Sequence, residues 1–202
     1  MITSMCNSYE HTIVITNRHL VQGDFLKQLE KVTKLHPHAL ILREKDLTDD
    51  AYESLAKKVF DLCKRKNITC FLHTKIEIAR KIGCQNIHLS IPVLKGLSET
   101  EKKALTEDFC EISISCHSME DVEIAMAGGA TQIILGTIFE TECKKGVLGK
   151  GVEFVREICQ KCPLPVYAIG GMNLQRLPLV IDAGAAGCCM MSGFMQTTKP
   201  LQ

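Results

Sequence analysis

The chain has almost no surplus charge: 24 Lys and Arg stand against 23 Asp and Glu, a formal net charge of +1 over 202 residues. No basic run is long enough to offset that balance, which excludes broad electrostatic attraction to nucleic acid or to an anionic membrane. Any binding must rest on local charge. No apolar stretch approaches the roughly 20 residues a membrane-spanning helix needs, so no membrane partner is expected. Low-complexity segments and linkers are missing too, and residues 1–202 read as a single domain. A second Cys-x-x-Cys pair is also lacking. The lone one, Cys159 to Cys162, stands at a helix end before Pro163 and reads as structural rather than as a zinc site.

Cysteine itself is plentiful. Eleven are scattered along a chain of 46% hydrophobic content, which can bury a core without disulfide staples. Cys63, Cys70, Cys84, Cys188 and Cys189 lie in or beside apolar runs and read as small core residues. With no recognisable signal peptide ahead of them, a reducing cytoplasm is the expected location.

Short β-branched or apolar runs alternate with longer amphipathic stretches from end to end, the pattern of repeated βα units on a parallel sheet. Strands are expected at Thr12–Thr16, Ala39–Arg43, Thr69–His73, Asn86–Leu89, Glu111–Ser115, Gln132–Leu135, Pro165–Ile169 and Gly187–Met190. About eight strands suit an α/β fold of the closed (β/α)8 (TIM) barrel type, although the chain is shorter than is usual for one. Helices are expected between them, among others at Thr48–Arg65, Ser118–Ala127, Gly151–Cys159 and Asn173–Ala183. Ser118 with Asp121 marks a capped start, and Gly128 with Gly129 a stop. The segment after Gly193 leaves little room for a full last helix.

Two glycine-bearing turns follow the last two strands: Ile169, Gly170, Gly171, Met172, and Met191, Ser192, Gly193. Amides freed at such turns, with helix starts behind them, form a cradle for one phosphate. In barrels of this kind the phosphate often sits after strands seven and eight, where these turns would fall. A phosphorylated small molecule is therefore the expected ligand. Met172, Met190 and Met191 read equally as an apolar wall beside it or as core.

Loops after strands carry the chemistry in this architecture. Arg43 and Lys45 alternate around Glu44 at the end of the second strand, where two cations suit an anionic substrate or simply form a solvated strand end. Thr141 and Lys144, with Lys145, lie in the long loop Gly136 to Lys150, where lysine is more often plain surface. Ser115, Cys116, His117 and Ser118 close the fifth strand. His117, in a small uncharged setting, suits proton movement, with helix capping as the bland alternative. Ser115 shares its face, whereas Cys116 points into the core, which disfavours a Cys/His nucleophile pair. His73 and His88, near the ends of strands three and four, have no carboxylate neighbour and read as hydrogen-bonding residues rather than metal ligands.

Together LREK at Leu42 to Lys45, SCHS at Ser115 to Ser118, IFETECKKG at Ile138 to Gly146, AIGGM at Ala168 to Met172 and MSG at Met191 to Gly193 resemble the thiamine phosphate synthase/TenI superfamily over essentially the whole chain. The resemblance implies a (β/α)8 barrel and a thiazole phosphate ligand, with the phosphate on Gly171, Met191 and Ser192. The synthase branch joins that thiazole phosphate to a pyrimidine pyrophosphate using magnesium, and carries an Asn, Asp pair after strand three and an Asp after strand four. Here His73, Thr74 and approximately Val93 occupy those positions. Magnesium prefers carboxylate oxygen. The likeness is closer to the TenI-like branch, which lacks that metal site and aromatises a carboxythiazole phosphate by thiazole tautomerisation, implicating the residue that is His117 here.

The expectation is thus a thiazole tautomerase, an isomerase with no cofactor. Gly170, Gly171, Met191 and Ser192 would hold phosphate, and Arg43, Lys45 or Lys144 the carboxylate. His117 would shuttle the proton, with Ser115 and Thr141 orienting the ring or the histidine. The alternatives are the transferase thiamine phosphate synthase, which would need magnesium, and a non-catalytic protein that binds a thiamine precursor. The oligomeric state stays open, a homodimer included.

Overall fold

The computed structural model describes residues 8–141, 146 and 148–196. Eight parallel strands close into a barrel in sequence order: β1 (Thr12–Ile15), β2 (Ala39–Leu42), β3 (Thr69–His73), β4 (Asn86–Ser90), β5 (Glu111–Cys116), β6 (Gln132–Gly136), β7 (Val166–Ile169) and β8 (Gly187–Met190). Closure comes from β1 pairing with both β2 and β8, Ile13 opposite Ala39 on one side and opposite Cys189 on the other. The expected eight-stranded barrel is therefore the fold, and each strand lies within one residue of its expected bounds.

Nine helices are described around it: α1 (Phe25–Thr33), α2 (Asp49–Lys66), α3 (Ile76–Ile82), α4 (Ile91–Gly96), α5 (Glu99–Asp108), α6 (Met119–Ala127), α7 (Gly151–Lys161), α8 (Leu177–Asp182) and α9 (Ser192–Met195). Local chemistry sets their ends. Thr48 accepts from the Ala51 amide at the start of α2, whose first turn carries Asp49 and Asp50 and whose last carries Lys64, Arg65 and Lys66, complementing the helix dipole. Asn67, at φ 54°, stops it in a left-handed turn. Ser118 caps α6 by accepting from the Asp121 amide at 3.1 Å, as the sequence spacing predicts.

One helix departs from expectation. The stretch Asn173–Ala183 is helical only over Leu177–Asp182, because Asn173 folds its side chain onto the Arg176 amide at 2.9 Å and spends the first residues in a turn. The glycines of the β7 turn therefore do not run directly into a helix. Cys162 is buried and Cys159 packs beneath Gly184, with both thiols free, so the Cys-x-x-Cys run serves the α7 end.

The side-chain period of two divides the strands other than β4 and β5 between two apolar cores. One lies between the strands and the helices, around residues such as Leu40, Leu72, Ile114 and Cys188. The other fills the barrel with Ile13, Ile41, Phe71, Ile134, Tyr167 and Cys189. β4 and β5 add nothing to this inner apolar set. Their buried inward positions, His88 and Ser113, are polar, so the barrel lumen has one polar wall.

Candidate functional site at the C-terminal mouth of the barrel

His117 lies one residue past β5. Its ring Nδ1 is 2.6 Å from the carbonyl oxygen of Gly136 at the end of β6. A carbonyl only accepts, so Nδ1 carries the proton, and in the neutral ring Nε2 keeps its lone pair on the exposed edge. The backbone is held as well: Asp121 accepts from the His117 amide at 2.7 Å, and Lys150 Nζ donates to the His117 carbonyl. Cys116 next to it is wholly buried, and burial pushes its thiol up to about 12, with Asp121 adding to the effect, so it is no nucleophile.

Ser115 is also at this rim, but no hydrogen bond joins it to His117. Its Oγ lies 2.8 Å from His88 Nε2, and the opposite nitrogen, Nδ1, lies 2.9 Å from Ser113 Oγ. The His73 ring stands 5.6 Å from that of His88. Burial, then the positive charges of Arg43 and Lys45, pushes His73 down to about 4. Burial, then His73, Arg43 and Lys45, pushes His88 down to about 3. Both rings are neutral near pH 7 and sit within the electrostatic reach of the two cations.

The β2 exit supplies those cations. The strand stops at Leu42, one residue earlier than expected, and Arg43 to Lys45 begin the loop. Arg43 is half-buried and Lys45 exposed, while Glu44 between them turns inward at 2% exposure. A buried carboxylate needs donors. Thr16 Oγ supplies one at 2.7 Å, the Arg18 amide another at 3.1 Å and Arg18 Nη1 a third at 3.2 Å. Arg18 is in turn held by Asp46, 2.6 Å from Nη1 to Oδ1. Glu44 thus anchors the segment that presents Arg43 and Lys45.

The two glycine turns face this rim from β7 and β8. Gly170 and Gly171 take φ values of 102° and 61°, which side chains rarely adopt. A Cβ on Gly171 would lie 2.5 Å from the Glu140 carbonyl oxygen and 2.8 Å from Phe139 Cβ, so only glycine lets the β6 and β7 loops touch. Among the described residues, the amides of Gly170, Gly171, Ser192 and Gly193 donate to nothing, leaving them for an anion. Ser192 and Gly193 open α9, but α9 has only four residues, so the cradle is built from individual amides rather than from a long helix dipole. Met191 is half-buried between this turn and the core, as is Met172, and Met190 is buried. Thr141 is half-buried beside Glu140, and Lys144 lies outside the described residues.

Arg176 is a cation at this end that the sequence motifs do not reveal. Its Nη1 donates to the Gly171 carbonyl, and its guanidinium covers the Phe139 ring at 4.5 Å from the centroid. The signal was faint: an arginine in a stretch expected to be plain helix. The anchoring role of Glu44 is not legible in the sequence for a different reason: its partners Thr16 and Arg18, both just after β1, are 28 and 26 residues away.

Amides without an acceptor after β7 and β8, cations at β2 and an oriented histidine at β5 converge on one end of an eight-stranded barrel. Residues 12–194 match the family model described as thiamine monophosphate synthase. The chain belongs to this family. A relative from Aquifex aeolicus named putative thiamine-phosphate synthase 2 is 30% identical over 182 residues, covering 90% of this chain and 96% of its own. A thiamine-phosphate synthase of Coprothermobacter proteolyticus is 31% identical over 180 residues, covering 89% and 84%. Among solved structures, a thiamine phosphate pyrophosphorylase from Pyrococcus furiosus superposes with a TM-score of 0.81 at 21% identity, covering 95% of this chain and 90% of its own, which shows the shared fold.

Membership of the thiamine monophosphate synthase family places the chain in thiamine biosynthesis, and the relatives' names favour transfer over isomerisation. Magnesium, which the family resemblance attaches to the transfer reaction, calls for carboxylate oxygens. Among the described residues no three His, Cys, Asp or Glu side chains are grouped to hold a metal ion. The ends of β3 and β4 offer His73, Thr74, His88 and Ser90, a donor set that does not fit magnesium.

Proposed function

We propose that the barrel mouth binds a carboxythiazole phosphate and aromatises it by proton transfer, as a thiazole tautomerase does. Gly170, Gly171, Met191 and Ser192 take the phosphate, Arg43, Lys45 or Lys144 takes the carboxylate, and His117 moves the proton. The observation that carries this reading is the hydrogen bond from His117 Nδ1 to the Gly136 carbonyl, which leaves Nε2 as a base at the rim. Tautomerisation needs a proton removed at one atom and delivered at another, so an oriented acid/base and an anion clamp suffice.

A second reading rests on the relatives, which are named thiamine-phosphate synthases. In it the same cradle holds a thiazole phosphate for condensation with a pyrimidine pyrophosphate, and His73 or the substrates' own oxygens replace the missing carboxylates. A chromatographic time course separates the two. Aromatisation faster than the uncatalysed rate without magnesium supports the tautomerase; magnesium-dependent condensation without aromatisation supports the synthase.

A further inference from the structure

The polar wall of the lumen is a three-residue line running from the barrel interior to the rim. Ser113 is fully buried, His88 is 4% exposed, and Ser115 is half-buried where the mouth begins. The His88 ring spans the two hydroxyls, Nδ1 at 2.9 Å from Ser113 and Nε2 at 2.8 Å from Ser115. We propose that Ser113, His88 and Ser115 form a one-way hydrogen-bond relay that fixes Ser115 as a hydrogen-bond donor to an oxygen of the bound substrate.

The direction follows from satisfaction of buried groups. A neutral imidazole has one donor and one acceptor nitrogen, so one serine must donate to the ring and the other must accept. Among the described residues Ser113 Oγ has His88 as its only side-chain or backbone partner, and a buried hydroxyl hydrogen left without an acceptor is costly. Ser113 therefore donates to Nδ1. That places the ring proton on Nε2, which donates to Ser115 Oγ. Ser115 has accepted, so its own hydrogen is left for the mouth, where the cations Arg43 and Lys45 already favour an oxygen anion. The opposite direction would strand the Ser113 hydrogen inside the barrel and present Ser115 as an acceptor.

Among the described residues no carboxylate touches the ring, and burial with the facing cations keeps it uncharged, so a doubly protonated His88 that would undo the relay is not populated near neutral pH. The cost of placing polar groups in an otherwise apolar lumen makes sense if the result is one defined donor at the rim. The inference rests on the functional reading above only for the identity of the ligand.

Nitrogen-15 NMR of the uniformly labelled full chain near pH 7 tests the relay without any substrate, the His88 signals being those lost in His88→Gln. A pyrrole-type Nε2 bearing the proton and a pyridine-type Nδ1 are expected; the reverse tautomer, or two protonated nitrogens, overturns the proposal. A binding arm uses carboxythiazole phosphate and, separately, inorganic phosphate. A side-chain amide at this position can accept from Ser113 and donate to Ser115, so His88→Gln should hold carboxythiazole phosphate affinity within about threefold, whereas His88→Leu should lose about tenfold. Inorganic phosphate affinity should move in neither. Equal loss in the two variants overturns the directional role, and the spectrum decides it if the leucine variant fails to fold. If the wild type does not bind the thiazole phosphate, the functional reading fails while the tautomer measurement still stands.

Discussion

His117 Nδ1 and the Gly136 carbonyl oxygen are 2.6 Å apart across the ends of β5 and β6. The bond ties the orientation of one ring to the barrel wall itself, which is a more rigid support than a loop contact. It also leaves Nε2 as the nitrogen with the lone pair in the neutral ring. If that nitrogen is the base, His117→Ala should lower kcat for thiazole aromatisation by about 100- to 10,000-fold with unchanged thermal unfolding, and added imidazole should restore part of the rate. Turnover at the wild-type level in the alanine protein would remove His117 from the mechanism.

The contrast between Gly171 and Gly193 gives a second expectation. Gly171→Ala meets both the φ 61° strain and the Glu140 carbonyl at 2.5 Å, whereas an added Cβ at Gly193 meets nothing within 4 Å. Gly171→Ala should cost about 1–3 kcal/mol in chemical unfolding and weaken phosphate binding. Gly193→Ala should stay within about 0.5 kcal/mol. Equal tolerance at both positions would mean that the loops around Gly171 are not packed as described.

A third expectation concerns acid. His73 falls from 6.5 to about 4 in the folded chain, so below pH 6.5 the unfolded chain binds a proton that the folded one refuses. Stability should be undiminished by this group above pH 6.5, fall as the pH drops, and level off near 4, a loss on the order of 3 kcal/mol for His73 alone. Urea midpoints from pH 7.5 to 4 measure it, and His73→Asn should flatten the slope by about one proton. Arg43→Gln should raise the His73 pKa, since Arg43 is the largest electrostatic cause of its depression after burial. An unchanged slope in His73→Asn would show that the ring is not held neutral by its surroundings.

Much of this was legible in the residues because strands announce themselves locally. Thr69–His73 and its seven counterparts are short apolar runs bounded by turns, and their count and spacing lead to a closed barrel. The turns at Gly170 and Ser192 were equally readable, since glycine chemistry is a property of single positions. What stayed hidden depends on pairing across the barrel. Ser115 shares a face with His117 in any strand model, yet its partner is His88, brought alongside by the β4–β5 register that places Ser90 opposite Ser115. Arg176 was hidden by the turn that Asn173 imposes, a side-chain-to-backbone competition that helix periodicity does not register.

On the reading proposed above, this mouth moves a proton on a thiazole phosphate rather than joining it to a pyrimidine. The most direct measurement incubates the purified chain with the carboxythiazole phosphate tautomer and a pyrimidine pyrophosphate together, with a chelator in one sample and magnesium in the other, and resolves the products by chromatography. Rapid aromatisation at the same rate in both samples, with no condensation product, is the predicted result. Condensation that appears only with magnesium, while aromatisation runs at the uncatalysed rate, would contradict it and make the chain a synthase.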